Sequence, residues 1–316
     1  MTHYGSYSTN TGVGEENRYR YNGKELNSDL GLYDYGARWY DPAVARFTTT
    51  DPAAGAYVSI SPYAYVANNP LIYIDPTGAY IEEGSQKEWE KQTGYVKERR
   101  EKLQSKLDGL SERAASKGWS AEKLARKVGN MSERVASLNS TISTFESIEH
   151  SSQGYSLSTS SNEVTGLSYG DDGMINIKFS TTANFVHETV HAGQFETGDI
   201  AFSGGNGTSL LQDVGDEIAS YKAQYGYDPS SVTGLSSSGG RVKGFGDITS
   251  DWVQGITTST GDRIYAPGGG SNTGVSPVNI NSTKADFIRA YPHQVRLTLL
   301  GSKWTPKDIK NIIYKK

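Results

Sequence analysis

The chain has 316 residues, 35% of them hydrophobic and 21% charged, with a formal net charge of −4. That length suits about two domains, and the scattered, near-balanced charge gives no sign of a nucleic-acid footprint or of an acidic tail, so no nucleic-acid partner is expected. Cysteine is absent, which excludes disulfides, thiolate ligands and cysteine nucleophiles together, so any metal must be held by His and carboxylates.

The first residues, MTHYGSYSTNTGVGEE, have neither the basic start nor the apolar run of a secretory signal. No apolar run in the chain approaches the ~18 residues that a membrane span needs. Residues 1–80 hold 12 of the 21 tyrosines among many Gly, Asn and Asp-Pro steps. Short aromatic runs broken by turn signals predict strands and hairpins. Tyr33, Tyr35, Ala37 and Trp39 alternate as along one strand, and Asp41-Pro42 turns it.

YRYNGKELNSDLGLYDYGARWYDPAVARFTTTDP (19–52) and SPYAYVANNPLIYIDPTG (61–78) resemble the end of a rearrangement-hotspot (Rhs) repeat-associated core. The resemblance implies a β-repeat shell closed by these residues, with an Asp-Pro-x-Gly motif marking the boundary to a C-terminal toxin. It also implies self-cleavage near that boundary by aspartates, here Asp75 of the motif and Asp51 of the upstream Asp-Pro step. Two positions depart from the pattern: Ala79 stands where Leu is common, and the upstream copy reads Asp-Pro-Ala-Ala-Gly. Outside that family, Asp in an Asp-Pro step is mostly a turn residue.

Residues 86–150 are rich in Lys, Glu, Ala and Leu and have no proline. Leu124, Val128, Met131, Val135, Leu138, Ile142 and Phe145 recur in steps of four and three, a heptad seam on one helix face. Val96, Leu103, Leu107, Leu110 and Ala114 form a looser stripe before it. SKGW (116–119) separates the two, Ser120 can cap the second helix, and Trp119 can staple onto Leu124. The pattern predicts an antiparallel helical hairpin that serves as a packing scaffold.

Ile175, Ile177 and Phe179 mark one face of a strand, and Ser180, Thr181 or Thr182 offers an N-cap for a helix from about Thr182 to Phe195. That helix carries HETVHAGQFE, in which His187 and His191 lie four apart. Four residues are just over one turn, so both imidazoles leave the same face and can reach one ion. Glu188 lies about 100° round from His187, placed to take a proton from a water at the open coordination position. A solvated helix with two stray histidines is the bland alternative.

Two histidines need a third protein ligand. No histidine follows closely. LLQDVGDEIASYKAQYGY (210–227) predicts a second helix with a buried stripe at Leu211, Val214, Ile218, Tyr221 and Tyr225, and Glu217 lies on it. DEIASYKAQ resembles the glutamate helix of zinc peptidases whose third ligand is Glu, a gluzincin-like pattern, although Ala219 stands where a second acid is usual. Glu196, Asp199, Asp213 and Asp216 are fallback ligands, and Asp213 or Asp216 could instead orient a ligating imidazole. Tyr221, Tyr291 and His293 are candidate donors to a tetrahedral oxyanion. Further on, the Gly-rich stretches of 236–247 and 266–274 are loops without the order of a phosphate cradle. STKADFIRAYPHQVRLTLLGS holds a helix, and TPKDIKNIIYKK predicts a closing helix with Thr305 as cap and Pro306 at its first position.

Together these features predict an α+β chain: a β-rich Rhs core remnant (1–80), a helical hairpin (81–150) and a mainly helical zincin-like metallopeptidase domain with a small sheet (151–316). The functional expectation is an interbacterial polymorphic toxin, a zinc endopeptidase with His187, His191 and Glu217 on Zn2+ and Glu188 as base. The resemblance implies a protein substrate in the target cell, a cognate immunity protein, and a secretion-system component that carries the chain from the producer's cytoplasm. The alternatives are a non-catalytic delivery module with a structural zinc, or a metallohydrolase acting on cell-wall peptide.

Overall fold

The computed structural model describes residues 19–22, 24–35, 38–51, 61–68, 70, 83–151, 153–161, 165–265, 274–291, 305–308 and 312–315. Its class is α+β, as expected from the sequence.

Five short strands, β1 (Tyr19–Tyr21), β2 (Lys24–Asn27), β3 (Leu32–Asp34), β4 (Trp39–Asp41) and β5 (Arg46–Phe47), form an antiparallel meander in chain order. The alternation read as one strand from Tyr33 to Trp39 is two strands: the chain reverses where the Tyr35 N–H donates to the Arg38 carbonyl at 3.1 Å, and Tyr33 pairs with Tyr40. The reversal brings Tyr35, Tyr40, Phe47 and Tyr65 into one buried cluster, with ring centroids 4.6 to 5.9 Å apart. Tilted and edge-on rings at such distances add about 0.5–1.5 kcal/mol per pair beyond burial. The Arg38 guanidinium lies 3.6 Å from the Phe47 ring centroid and pairs with Asp51 at 2.7 Å. Asp51 is thus the carboxylate partner of a buried cation. Asp75 lies outside the described residues.

Helices α1 (Glu83–Asp108) and α3 (Ala121–Glu149) pack on each other, with α2 (Leu110–Ser116) at their bend. Much of each expected stripe faces inward: Val96, Leu103, Leu110 and Ala114 on one arm, and Val135, Leu138 and Phe145 on the other, are buried. Met131 and Ile142 pack against that core, and Leu107, Leu124 and Val128 stay half-buried. Ser120 caps α3 by accepting from the Lys123 N–H. Trp119, expected to staple onto Leu124, is found under the ammonium groups of Lys123 and Lys127.

Beyond the hairpin, β6 (Tyr155–Thr159), β7 (Gly166–Tyr169) and β8 (Ile175–Phe179) make a sheet in the order β6-β8-β7, with β6 parallel and β7 antiparallel to β8. Strand β8 buries Ile175, Ile177 and Phe179 and leads into α4 (Thr182–Thr197), which is capped by the Thr181 hydroxyl. A second sheet, β10-β9-β11, joins Ala201–Ser203 (β9), Ser209–Leu210 (β10) and Ile312–Ile313 (β11). Helix α5 spans Val214–Tyr227, followed by α6 (Ser230–Thr233), α7 (Ser250–Gln254) and α8 (Lys284–Ala290). Two sequence expectations shift here. The glutamate helix begins at Val214 rather than 210, because Ser209 and Leu210 pair with β9 and the Asp213 carboxylate then caps the helix. The expected closing helix is a single turn at Pro306–Asp308 followed by β11, because Ile312 and Ile313 satisfy the free edge of β9. Among the described residues, no helix is long and apolar enough to cross a membrane.

One apolar core joins the hairpin to the second half of the chain. Phe185 of α4 meets Trp89, Phe145 and Phe179 with ring centroids 5.5, 5.7 and 5.2 Å away. Helix α3 lies against both α4 and α5. A Cβ added at Gly193 of α4 would come within 2.6 Å of Thr144 Cγ2, and one at Gly226 of α5 within 2.6 Å of Ser137 Oγ. A side chain at either glycine would force its neighbour on α3 to turn aside or the helices to part. Two hairpin guanidiniums also meet the C-terminal carbonyls of α5: Arg134 donates to Gly226 and Tyr227, and Arg99 to Tyr227. Cations at that end complement the helix dipole.

Candidate metal centre

Helices α4 and α5 are in contact, and their facing turns carry His187, Glu188 and His191 on one side and Glu217 on the other. Capping fixes both in phase. Thr181 starts α4 six residues before His187. On α5 the Asp213 carboxylate accepts from the Gly215 and Asp216 N–H groups, while the Asp216 carboxylate accepts from the Asp213 N–H. This reciprocal box sets Glu217 in the first turn, where the helix dipole favours a carboxylate.

Three side chains converge. Glu217 places its Oε2 3.5 Å from His187 Nε2 and its Oε1 3.6 Å from His191 Nε2, and the two Nε2 atoms are 3.3 Å apart. One ligand atom from each residue lies within 4.8 Å of the others, and among the described residues this is the one such cluster of three. All are buried, with relative exposures of 6% for His187, 2% for His191 and 3% for Glu217. Glu217 Oε2 has no hydrogen-bond donor. A buried carboxylate oxygen without a donor is costly, and a cation held between the three groups would satisfy it. Two imidazoles and a carboxylate are a donor set that suits zinc among divalent ions. The residues present therefore fit a metal.

The electrostatics agree. Burial opposes the imidazolium form of His191, but the Glu217 carboxylate outweighs it and pushes the group up to about 9. Burial likewise opposes ionised Glu217, but the positive charge of His191 beside it holds it well below the usual carboxylate range. Glu188 is pushed up by burial, against the pull of both imidazoles and of a hydrogen bond from Thr165. Tyr221 packs edge-on to His187 with ring centroids 4.6 Å apart, and its hydroxyl meets that of Tyr265 at 3.2 Å. Burial raises both phenols above their ordinary range.

The fallback acids lie elsewhere. Glu196 accepts from Tyr155 and Ser151 and pairs with Lys315 at 2.8 Å. Asp199 accepts from Thr197. Asp213 and Asp216 form the cap box, and burial beside Asp213 pushes Asp216 up to about 7. Neither orients an imidazole. Tyr291 donates to the Gln212 carbonyl, and His293 lies outside the described residues. Sequence reasoning passed over Gln194, Gln224, Thr165 and Tyr265. Gln194 Oε1 stands 2.7 Å from His191 Nδ1, and Gln224 Oε1 stands 3.0 Å from His187 Nδ1. Ser220 Oγ lies 3.4 Å from His191 Nδ1. The helix period alone could have raised Gln194, one turn after His191, and Gln224, two turns after Glu217.

A groove of about 430 Å³ runs outside α3, α4 and α5, lined by Ser137, Thr141, Val190, Ala219 and Phe245. Another of about 300 Å³ lies beside Asn27 and Trp39. Neither is lined by His187, His191 or Glu217.

No protein-family profile matches the chain, and no solved structure does. A 60-residue stretch, 19% of this chain, is 47% identical to salivary gland surface protein 1 of Aedes aegypti. Seventy residues, 21% of the chain, are 37% identical to the tRNA nuclease WapA of Bacillus subtilis (strain 168), and 59 residues, 19%, are 46% identical to toxin subunit YenC2 of Yersinia entomophaga. The chain spans 2%, 3% and 6% of the lengths of these three relatives. Each shares with it a stretch of 59 to 70 residues.

Proposed function

We propose that this chain is an Rhs-type polymorphic toxin with a zinc metallopeptidase effector domain. On this reading residues 1–80 are the core remnant, 81–150 the hairpin scaffold and 151–316 a zinc endopeptidase effector. The single observation that carries the proposal is the buried convergence of His187, His191 and Glu217 around an oxygen with no donor. These three would hold the ion, which when bound supplies Lewis-acid polarisation of a peptide carbonyl. Glu188, pushed up by burial, accepts a proton from the attacking water and returns it to the departing amine nitrogen. The hydroxyls of Tyr221 and Tyr265 bond to each other, which leaves one proton of the pair free to donate to substrate oxygen. Thr165 holds the Glu188 carboxylate in place.

A nuclease is the less favoured reading. The nuclease relative is matched over 3% of its length, and a net charge of −4 with a carboxylate in the centre gives a nucleic-acid phosphate no evident electrostatic pull. Burial of the whole centre favours a second reading, a structural zinc in a delivery module. Three ligand groups rather than four among the described residues speak against it, since closed structural sites use four. A metallohydrolase acting on cell-wall peptide shares the same centre. Export by a dedicated machine and neutralisation by a cognate immunity protein belong to the same proposal.

The test is metal analysis together with proteomics of intoxicated cells, comparing the wild-type chain with Glu188→Gln. The variant should keep one zinc and lose both toxicity and new peptide termini. A fully toxic Glu188→Gln chain would end the peptidase reading, and cleavage confined to cell-wall peptide would move the substrate.

A further inference from the structure

We propose that Gln194 and Gln224 are positioning residues that hold both imidazoles of the centre in the Nδ1–H tautomer, leaving both Nε2 lone pairs for the cation. The inference rests on the metal-centre reading above and adds to it the groups that prepare the ligands.

Two hydrogen-bond chains, each ending on a backbone carbonyl, fix the tautomers. A carbonyl can only accept, so each chain can be read back from its end. Gln194 reaches across from α4 to α5, where its amide nitrogen lies 3.2 Å from the Asp216 carbonyl. Its Nε2 must therefore face that carbonyl, and its Oε1 must face His191 Nδ1 at 2.7 Å. An acceptor there requires a proton on Nδ1. The second chain is longer. Ser231 Oγ lies 2.7 Å from the Asp228 carbonyl and gives its one proton to it. The same oxygen then accepts from Gln224 Nε2 at 3.2 Å. Gln224 Oε1 is left facing His187 Nδ1 at 3.0 Å, which again requires a proton on Nδ1. A flip of the Gln194 amide would set two acceptors against each other. Both glutamines are buried, which weakens competition from water for their bonds to the imidazoles.

The choice of amide also has an electrostatic consequence. Imidazoles on metals are often held by carboxylates. Here two carboxylates, Glu188 and Glu217, already occupy the buried site. Amides orient the rings without adding a third and a fourth negative charge.

The experiment uses the full chain loaded with zinc. Long-range 1H–15N spectra of wild type should show both imidazoles protonated on Nδ1 and coordinated through Nε2. Gln194→Met and Gln224→Met keep side-chain length and remove the acceptor. Each should weaken zinc binding ~10- to 100-fold by chelator competition, with the circular dichroism spectrum unchanged. Gln224→Glu keeps the acceptor, since Ser231 can turn its proton to the new carboxylate, and should bind zinc at least as tightly as wild type. Zinc affinities of both Met variants within twofold of wild type, or an Nε2–H imidazole in the wild-type spectrum, would overturn the inference. So would a Gln224→Glu loss as large as that of Gln224→Met. A wild-type chain that takes up no zinc ends the underlying reading instead.

Discussion

His187 and His191 face each other with their Nε2 atoms 3.3 Å apart, and Glu217 closes the triangle. Two lone pairs at that distance repel, so something positive has to lie among the three groups. In the metal-free chain it is a proton. The Glu217 carboxylate overcomes the cost of burial and pushes His191 up to about 9. A metal must displace that proton. Zinc affinity should therefore rise about tenfold per pH unit from pH ~6.5 to ~9 and then level off. Chelator competition across that range measures the slope, and an affinity independent of pH would show that no proton is displaced.

The same pair makes the metal-free fold pH-dependent. The folded His191 value lies above the ~6.5 of an unperturbed imidazole, so the stabilisation is complete below that pH and is lost as pH rises through about 9. The Tm of the metal-free chain should fall between pH 6.5 and 9, while the zinc-loaded Tm should move little. Scanning calorimetry with and without a chelator checks both curves. A metal-free Tm that climbs over this window would refute the ion pair.

Phe185 ties the helix of the centre to the hairpin. It is fully buried against Trp89, Phe145 and Phe179. Phe185→Ala should cost about 3–5 kcal/mol by lost transfer and cavity energy, read from urea unfolding. Loss of less than 1 kcal/mol would mean that the site collapses onto the gap.

Residues 151–316 expressed alone should not fold. Without the hairpin, Phe185, Phe179 and Phe195 lose one wall of their shared core, and the carbonyls at the end of α5 lose Arg99 and Arg134. Circular dichroism of that fragment should show little helix, whereas residues 83–316 should melt in a single transition. A stable, cooperative 151–316 fragment would show that the hairpin is dispensable.

Some of this architecture was legible in the amino-acid order. A four-residue spacing is close enough to one helical turn that His187 and His191 had to share a face, and a hydroxyl cap among Ser180, Thr181 and Thr182 followed from residue type, of which the structure selects Thr181. Glu217 needed a second helix at the right height, which residue type suggested and the cap box at Asp213 fixed. The glutamines behind the imidazoles share the faces that helix period assigns to His191 and Glu217, but an amide leaves no charge pattern to mark its role, so period alone did not single them out. The closing helix misled for a different reason. Pro306 and the terminal lysines favour a helix locally, but an open edge on β9 offers Ile312 and Ile313 more than one further turn would. Likewise Tyr33 to Trp39 carries the period of a single strand, and only the ring cluster with Phe47 and Tyr65 forces the chain back on itself.

Gly193 and Gly226 seat their helices on Thr144 and Ser137, two turns apart along the same rod. The carriers of the imidazoles and of the carboxylate thus share one datum. A disturbance that bends the rod shifts both carriers together and leaves their mutual spacing almost unchanged. Damage far out on the hairpin should accordingly show first as a lower melting point, while the triangle of His187, His191 and Glu217 stays in register until the fold itself gives way.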